Sequence, residues 1–204
     1  MKLNIPTFKY FNMRRGFTLL ETLVAVAIMM VAIGSAFGLA PEGLVGARFA
    51  KNQTTATYLA QEAIETARNI RDNSMFFAAD PSDPMNWLSG LSACIGRLCT
   101  VDVKAAKVVP CQSSCAPLDT VVAANGQVTY VNHSGALSAD IFPSMFTRDI
   151  SVRLVTNSKI AALRGDAGGD TEAVITARVR WKEGVVTKTT EINETLFDWW
   201  TFTK

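Results

Sequence analysis

Histidine is nearly missing from this chain: His133 is the only one in 204 residues. Its scarcity removes histidine-based acid–base catalysis and histidine-rich metal centres from consideration. No P-loop, HExxH helix, dinucleotide fingerprint or G-x-S-x-G nucleophile elbow occurs either. His133 itself sits in Asn132-His133-Ser134-Gly135, beside a turn signal, where a histidine is ordinarily solvated. The chain is therefore expected not to be an enzyme and to need no cofactor. Acid is also absent from the beginning: Glu21 is the first carboxylate, and it follows Lys2, Lys9, Arg14 and Arg15. Overall charge is close to balanced, formally +2, and falls to about −2 without those four cations. That balance gives no electrostatic footprint for nucleic acid, so no nucleic-acid partner is inferred.

What the chain does have is one long apolar run. Residues 17–40 read FTLLETLVAVAIMMVAIGSAFGLA, with Glu21 as the only charge. At the helical rise this run extends about 36 Å, against a bilayer core of about 30 Å. All the leading cations precede it, so the positive-inside tendency holds residues 1–16 in the cytoplasm and sends the rest outward. A secretory signal would carry a shorter apolar core closed by a small-residue cleavage site. Here the sharp boundary lies before the run, at Gly16/Phe17. A glycine ahead of a cut lets an extended backbone approach a protease closely. Cutting there would expose an amine at Phe17, one helical turn from Glu21 on the same face. Burying a carboxylate at helix centre costs on the order of 3 kcal/mol on insertion scales, and pairing with an amine would offset that cost.

The stretch Arg14-Arg15-Gly16-Phe17-Thr18-Leu19-Leu20-Glu21 resembles the leader of type IV prepilins and of type II secretion pseudopilins. The resemblance implies cleavage after Gly16 by a membrane peptidase and N-methylation of Phe17 by the same enzyme. It also implies a filament-assembly role for Glu21, through pairing with the amine of a neighbouring subunit. Its implied partners are other pilins, met through their N-terminal helices, and an inner-membrane assembly platform. The implied localisation is the cytoplasmic membrane before assembly and a pilus or pilus-like filament afterwards. Near the C-terminus, Val179-x-Trp181-x-x-Gly184 and then Leu196-Phe197-Asp198-Trp199 are similar to the ends of minor pilins of the type IV pilus modification group. The leading expectation is a minor pilin. The rivals are a type II secretion pseudopilin and an unprocessed signal-anchored domain with a binding or enzymatic role. DNA uptake is a variant of the first and would need an exposed basic patch.

Beyond the apolar run, helical spacing continues over 41–71. Ala56, Leu59, Ala60, Ala63, Ile64, Ala67 and Ile70 recur every three or four residues and form a small-residue stripe suited to packing on a sheet. From 17 to 71 such a helix would be about 80 Å long. Pro41 should kink or locally unwind it, and Asp72-Asn73-Ser74 is a plausible stop. Gly34 and Gly38 form a GxxxG pattern that permits close helix approach, although glycine is also simply common in membrane helices. Residues 72–204 form the expected extracytoplasmic domain. Within it, 73–98 reads as an irregular connector, pinned to the core by Met75, Phe76, Phe77, Trp87 and Leu88. Strand candidates over about 100–192 are 100–109, 120–123, 127–131, 146–156, 173–181 and 185–192. Asn125-Gly126 and Lys182-Glu183-Gly184 signal hairpins. In the closing hairpin, Ile175, Ala177, Val179 and Trp181 share the expected core face. The aromatic tail at Phe197, Trp199 and Trp200 should need burial. The fold class is α+β, a long N-terminal helix packed on an antiparallel sheet.

Four cysteines follow the apolar run: Cys94, Cys99, Cys111 and Cys115. In an exported domain disulfides are the natural reading. Three pairings are open, with local pairs favoured because short loops close most readily. Zinc is the rival reading of the same spacings. Asp166-Ala167-Gly168-Gly169-Asp170 reads as a surface turn and lacks the ligand count of a calcium loop.

Overall fold

The computed structural model describes residues 16–77, 86–132, 140–155 and 172–198, the side chains at 36 and 38–40 excepted. His133, the 166–170 turn, Pro81, Pro84, Trp199, Trp200 and the basic leader residues lie outside the described residues. One helix, α1, spans Leu19–Phe76, and Pro41 lies inside it. It continues slightly past the expected stop, and the Ser74 hydroxyl in its last turn donates to the carbonyl of Ile70. A 3₁₀ helix, Asn86–Cys94, follows. Among the described residues eight strands follow: β1 Cys99–Asp102, β2 Lys107–Pro110, β3 Asp119–Val122, β4 Val128–Val131, β5 Ile141–Pro143, β6 Thr147–Val155, β7 Glu172–Glu183 and β8 Val186–Phe197.

The architecture is α+β, with a helix packed on antiparallel sheet. The sheet is split in two: a five-stranded sheet ordered β2-β1-β6-β7-β8 and a three-stranded sheet ordered β4-β3-β5. The chain divides into two compact units after Arg48.

In the second unit the helical stripe is the core. Ala56, Ala60, Ala63 and Ala67 are fully buried, and Leu59, Ile64 and Ile70 nearly so. The alanines allow the helix axis to lie close to the sheet, and each large aliphatic contributes about 1.5–3 kcal/mol of burial. Opposite them Ile175, Ala177, Val179 and Trp181 of β7 and Ile150 and Val152 of β6 complete the core. The β7–β8 register runs without a slip from Glu172↔Phe197 to Glu183↔Val186. Its loop is Gly184-Val185, one residue beyond the expected centre, with Gly184 at φ 61°, as a two-residue hairpin loop requires of its first residue.

Several sequence expectations are corrected. Segment 100–109 is a tight hairpin rather than one strand, since β1 pairs with β2 from Cys99↔Pro110 to Asp102↔Lys107. Its turn has no glycine; Ala106 takes the left-handed conformation at φ 46°, while Asp102 Oδ1 accepts from the Ala105 N–H at 3.0 Å. Part of the supposed irregular connector is the 3₁₀ helix, with Trp87, Leu88, Leu91 and Cys94 buried. Gly90 lets this helix lie against α1: a Cβ there would come 2.5 Å from Ile70 Cγ2. Phe76 and Phe77 are not in the core, being 66% and 82% exposed. Strand β5 was not expected, and Phe197 is half exposed rather than buried.

Candidate functional site

The residues singled out for processing lie at the start of α1. Gly16, Phe17 and Thr18 precede the helix, and Phe17 is 78% exposed. The helix begins at Leu19 because Thr18 caps it. The Glu21 backbone N–H donates to Thr18 Oγ1 at 3.3 Å, and the Thr22 N–H donates to the Thr18 carbonyl at 3.1 Å. Thr18 is thus the N-cap and Glu21 the third helical residue, the Thr-x-x-Glu pattern of a capping box. A carboxylate in the first turn also meets the positive end of the helix macrodipole. Two corrections follow. Phe17 lies outside the helix, so the helical spacing that placed it on one face with Glu21 does not apply. Thr18 is a helix cap absent from the sequence expectations, although Thr-x-x-Glu before an apolar run is a readable signal.

From Leu19 onward the first unit shows apolar side chains on every side. Leu20, Leu23, Ile28, Met29, Met30, Val31, Ile33 and Phe37 are all at least half exposed. Exposed apolar surface that is continuous around a helix marks a lipid or protein contact. Nothing lies within 4 Å of a Cβ placed on Gly34, so the helix surface at that notch is open; Gly38 is also inside α1. Among the described residues no helix is long and apolar enough to cross a membrane.

The second unit holds residues 49–76 of α1 onto the sheet with charge as well as apolar packing. Arg68 grips Glu194 of β8 with two bonds, Nε–Oε1 at 2.7 Å and Nη2–Oε2 at 2.6 Å. Those bonds, first among its contacts, raise the Arg68 pKa above its ordinary value. Arg71 Nη1 donates to the Phe197 carbonyl at 3.1 Å, and Lys188 Nζ lies 5.4 Å from the centre of the Phe49 ring. Deeper, Arg148 of β6 is 1% exposed. It donates to Glu62 Oε2 at 2.5 Å, to the Val101 carbonyl at 3.0 Å and to the Leu59 carbonyl at 3.4 Å. Burial lowers its pKa, opposed by the charges of Glu62 and Asp102. On the other face of β6 the buried Asp149 accepts from Arg180 Nη2 at 2.7 Å and lies 3.8 Å from Arg178 Nε. Sequence periodicity alone did not single out either buried charge.

A cleft of about 540 Å³ lies between the β1–β2 turn and the small sheet, lined in part by Asp102, Lys104, Tyr130, Asn132 and Arg148. Burial raises the Tyr130 phenol above its ordinary range.

The cysteines pair locally, Cys94 with Cys99 and Cys111 with Cys115. No thiolate remains to ligate zinc. The first bridge is fully buried beside Leu91 and Val101 in the core cluster, and ties the 3₁₀ helix to β1.

Residues 11–37 match the family model described as the prokaryotic N-terminal methylation motif. This segment is consistent with a type IV pilin-like prepilin leader and covers Gly16, Phe17, Thr18, Glu21 and Gly34. No curated protein and no solved structure shows a significant match to the chain.

Proposed function

We propose that the chain is a minor type IV pilin-like structural subunit. It is inserted as a single-pass precursor in the cytoplasmic membrane, cut between Gly16 and Phe17, and methylated at Phe17 by the prepilin peptidase. It then enters a pilus or pilus-like filament through its N-terminal helix. The carrying observation is the methylation motif at 11–37 set on the start of a helix whose described apolar side chains up to Phe37 are exposed and whose only acid before residue 42 is Glu21.

The physical logic follows from that helix. In lipid, hydrocarbon covers the apolar side chains; in a filament, neighbouring apolar helices cover them. Extraction therefore exchanges one apolar environment for another, and packing and polar pairing decide the register. Before cleavage Thr18 and Glu21 cap the helix start. Cleavage leaves a charged amine one residue from Thr18, and the Glu21 carboxylate becomes the counter-charge available to the amine of a neighbouring subunit. Gly34 and Gly38 provide the close-approach surface between helices. Partners are other pilins, the peptidase/methylase and an inner-membrane assembly platform.

The test is Glu21→Ala in the native host, with processing and filament incorporation measured separately. Processing should stay near wild type while the subunit disappears from sheared or purified filaments. Equal incorporation of wild type and variant would reject the pairing role. Filaments confined to the periplasm, and dependent on a secretion system, would move the subunit to the pseudopilin class.

A further inference from the structure

The β7–β8 hairpin ends in an apolar point. A two-residue hairpin loop ordinarily carries Asn, Asp or Gly, but the second residue of this loop is Val185, which is fully exposed. Val186, next to it, is half exposed. Single apolar residues scattered on a surface are ordinary; two adjoining ones at the point of a hairpin, backed by lysines, call for a partner.

The lysines come from two elements of the second unit. Lys182 and Lys188 lie in the strands behind the loop, and residues 49–52, the start of this unit's part of α1, bring Lys51. Two contacts fix the hairpin beside that turn of helix. Asn52 Nδ2 donates to Glu183 Oε1 at 3.3 Å, and Lys188 Nζ lies over the Phe49 ring. Lys51 and Lys182 are exposed. Glu183 is the only acid in residues 182–188, and residues 49–55 hold none. Three lysines thus stand against one carboxylate, and that carboxylate is turned toward Asn52.

The place of this helical turn in the chain identifies the partner. Phe49 follows the end of the apolar run at Ala40 by nine residues, all within α1, and nine residues of helix span about 14 Å. With residues 17–40 in a bilayer, the chain tethers this end of the second unit close to the membrane surface. The other end of α1, at Phe76, lies about 40 Å of helix beyond Phe49.

We propose that the Gly184-Val185-Val186 tip rests in the headgroup layer of an anionic bilayer. The valines enter the layer, and Lys51, Lys182 and Lys188 meet the lipid phosphates. Apolar side chains backed by cations are what binds an anionic membrane interface, and lysine stems lie along apolar surface while their ammonium groups reach the charge. Such a contact holds the domain on the membrane until assembly draws the helix out. The proposal rests on the reading of residues 17–40 as a membrane anchor.

The experiment reconstitutes the full chain into nanodiscs of phosphatidylcholine alone or mixed with phosphatidylglycerol. All four cysteines are paired, so one introduced by Thr187→Cys at the tip, Val31→Cys in the apolar run or Phe77→Cys past α1 is the only thiol to carry a nitroxide. Collision with oxygen against a water-soluble nickel chelate reads the depth of each label. The Thr187 label should be shielded from nickel in the anionic discs and open to it in the zwitterionic ones. The Phe77 label should stay in water in both, and the Val31 label in hydrocarbon in both. Each lysine at an anionic surface is worth about fivefold in binding, so Lys51→Glu with Lys182→Glu should lower the bound-to-free ratio of the tip at least about tenfold. Val185→Ser should lower it too, and raised salt should do so with no substitution at all. Circular dichroism checks that the variants are folded, and the salt series on the unaltered tip stands if they are not. A Val31 label in water would overturn the anchor reading and the proposal with it. A Val31 label in hydrocarbon with the Thr187 label in water in anionic discs would overturn the proposal alone. Equal shielding in both lipids, or no response to salt and charge reversal, would also overturn it. So would shielding that rises with protein density and ignores lipid charge, which would assign the tip to a second copy of the chain.

Discussion

Glu62 resembles an ordinary surface acid, with 41% of its side chain exposed, yet it should behave as a core residue. A surface substitution usually changes stability by less than about 0.5 kcal/mol. Glu62→Gln would instead remove the negative charge that faces Arg148, whose side chain is 1% exposed. Breaking a buried pair by removing one partner costs about 3–5 kcal/mol. Here Asp102 still acts on Arg148 at longer range, and the Leu59 and Val101 carbonyls still accept from it. That lowers the expected cost to about 2 kcal/mol. Arg148→Met removes both the charge and the desolvation that opposes it, while keeping an apolar stem, so it should cost no more than about 2–3 kcal/mol. The double variant should be less destabilised than the sum of the singles, with a coupling of about 1–2 kcal/mol. Urea unfolding of the full chain in nonionic micelles measures all three, provided the slope stays constant across variants. A Glu62→Gln effect below about 0.5 kcal/mol, together with coupling near zero, would refute the idea that this pair fastens the helix to the sheet.

Three further outcomes are expected. Thr18→Val should remove the cap hydroxyl and cost the first turn about 1 kcal/mol, seen as faster hydrogen exchange at the Glu21 amide, with Thr18→Ser close to wild type. Replacing Cys94 and Cys99 by serine should destabilise by about 2–5 kcal/mol, and more than the same change at Cys111 and Cys115. Both cysteines of the first pair are fully buried in the core cluster, whereas Cys111 is partly exposed and Cys115 lies outside that cluster, so the first change places two hydroxyls in the core. Ultraviolet titration should show Tyr130 ionising above the ordinary tyrosine range, since burial opposes its phenolate. The folded state then keeps a proton that the unfolded chain releases, so this contribution is intact below the unfolded tyrosine pKa of about 10 and is lost as pH rises through the folded value.

What could be read from sequence was whatever a period or a special residue announces. The stripe from Ala56 to Ile70 and the alternation of Ile175, Ala177, Val179 and Trp181 carry their burial in their spacing. Gly184 marks the closing hairpin because a left-handed residue there favours glycine. The β1–β2 turn escaped because its left-handed residue is Ala106, stabilised locally through Asp102 rather than signalled by composition. Strand β5 is three residues long and ends in Pro143, too short for a period to emerge. The 3₁₀ helix left a faint trace, with Trp87, Leu91 and Cys94 at four- and three-residue steps inside a segment rich in turn formers. Division of the strands into two sheets is a tertiary choice that no local pattern encodes. At the candidate site Gly16, Phe17 and Glu21 stand out in sequence, and the Thr-x-x-Glu spacing that signals the Thr18 cap is matched by the Glu21 N–H bond to Thr18 Oγ1.

The central claim rests on a new amine made beside Thr18. Mass spectrometry of the N-terminal peptide, taken from membranes and from filaments of the native host, tests it most directly. The predicted peptide starts at Phe17 and carries one added methyl group. A mature chain that still starts at Met1, or one cut at any other bond, would contradict the claim.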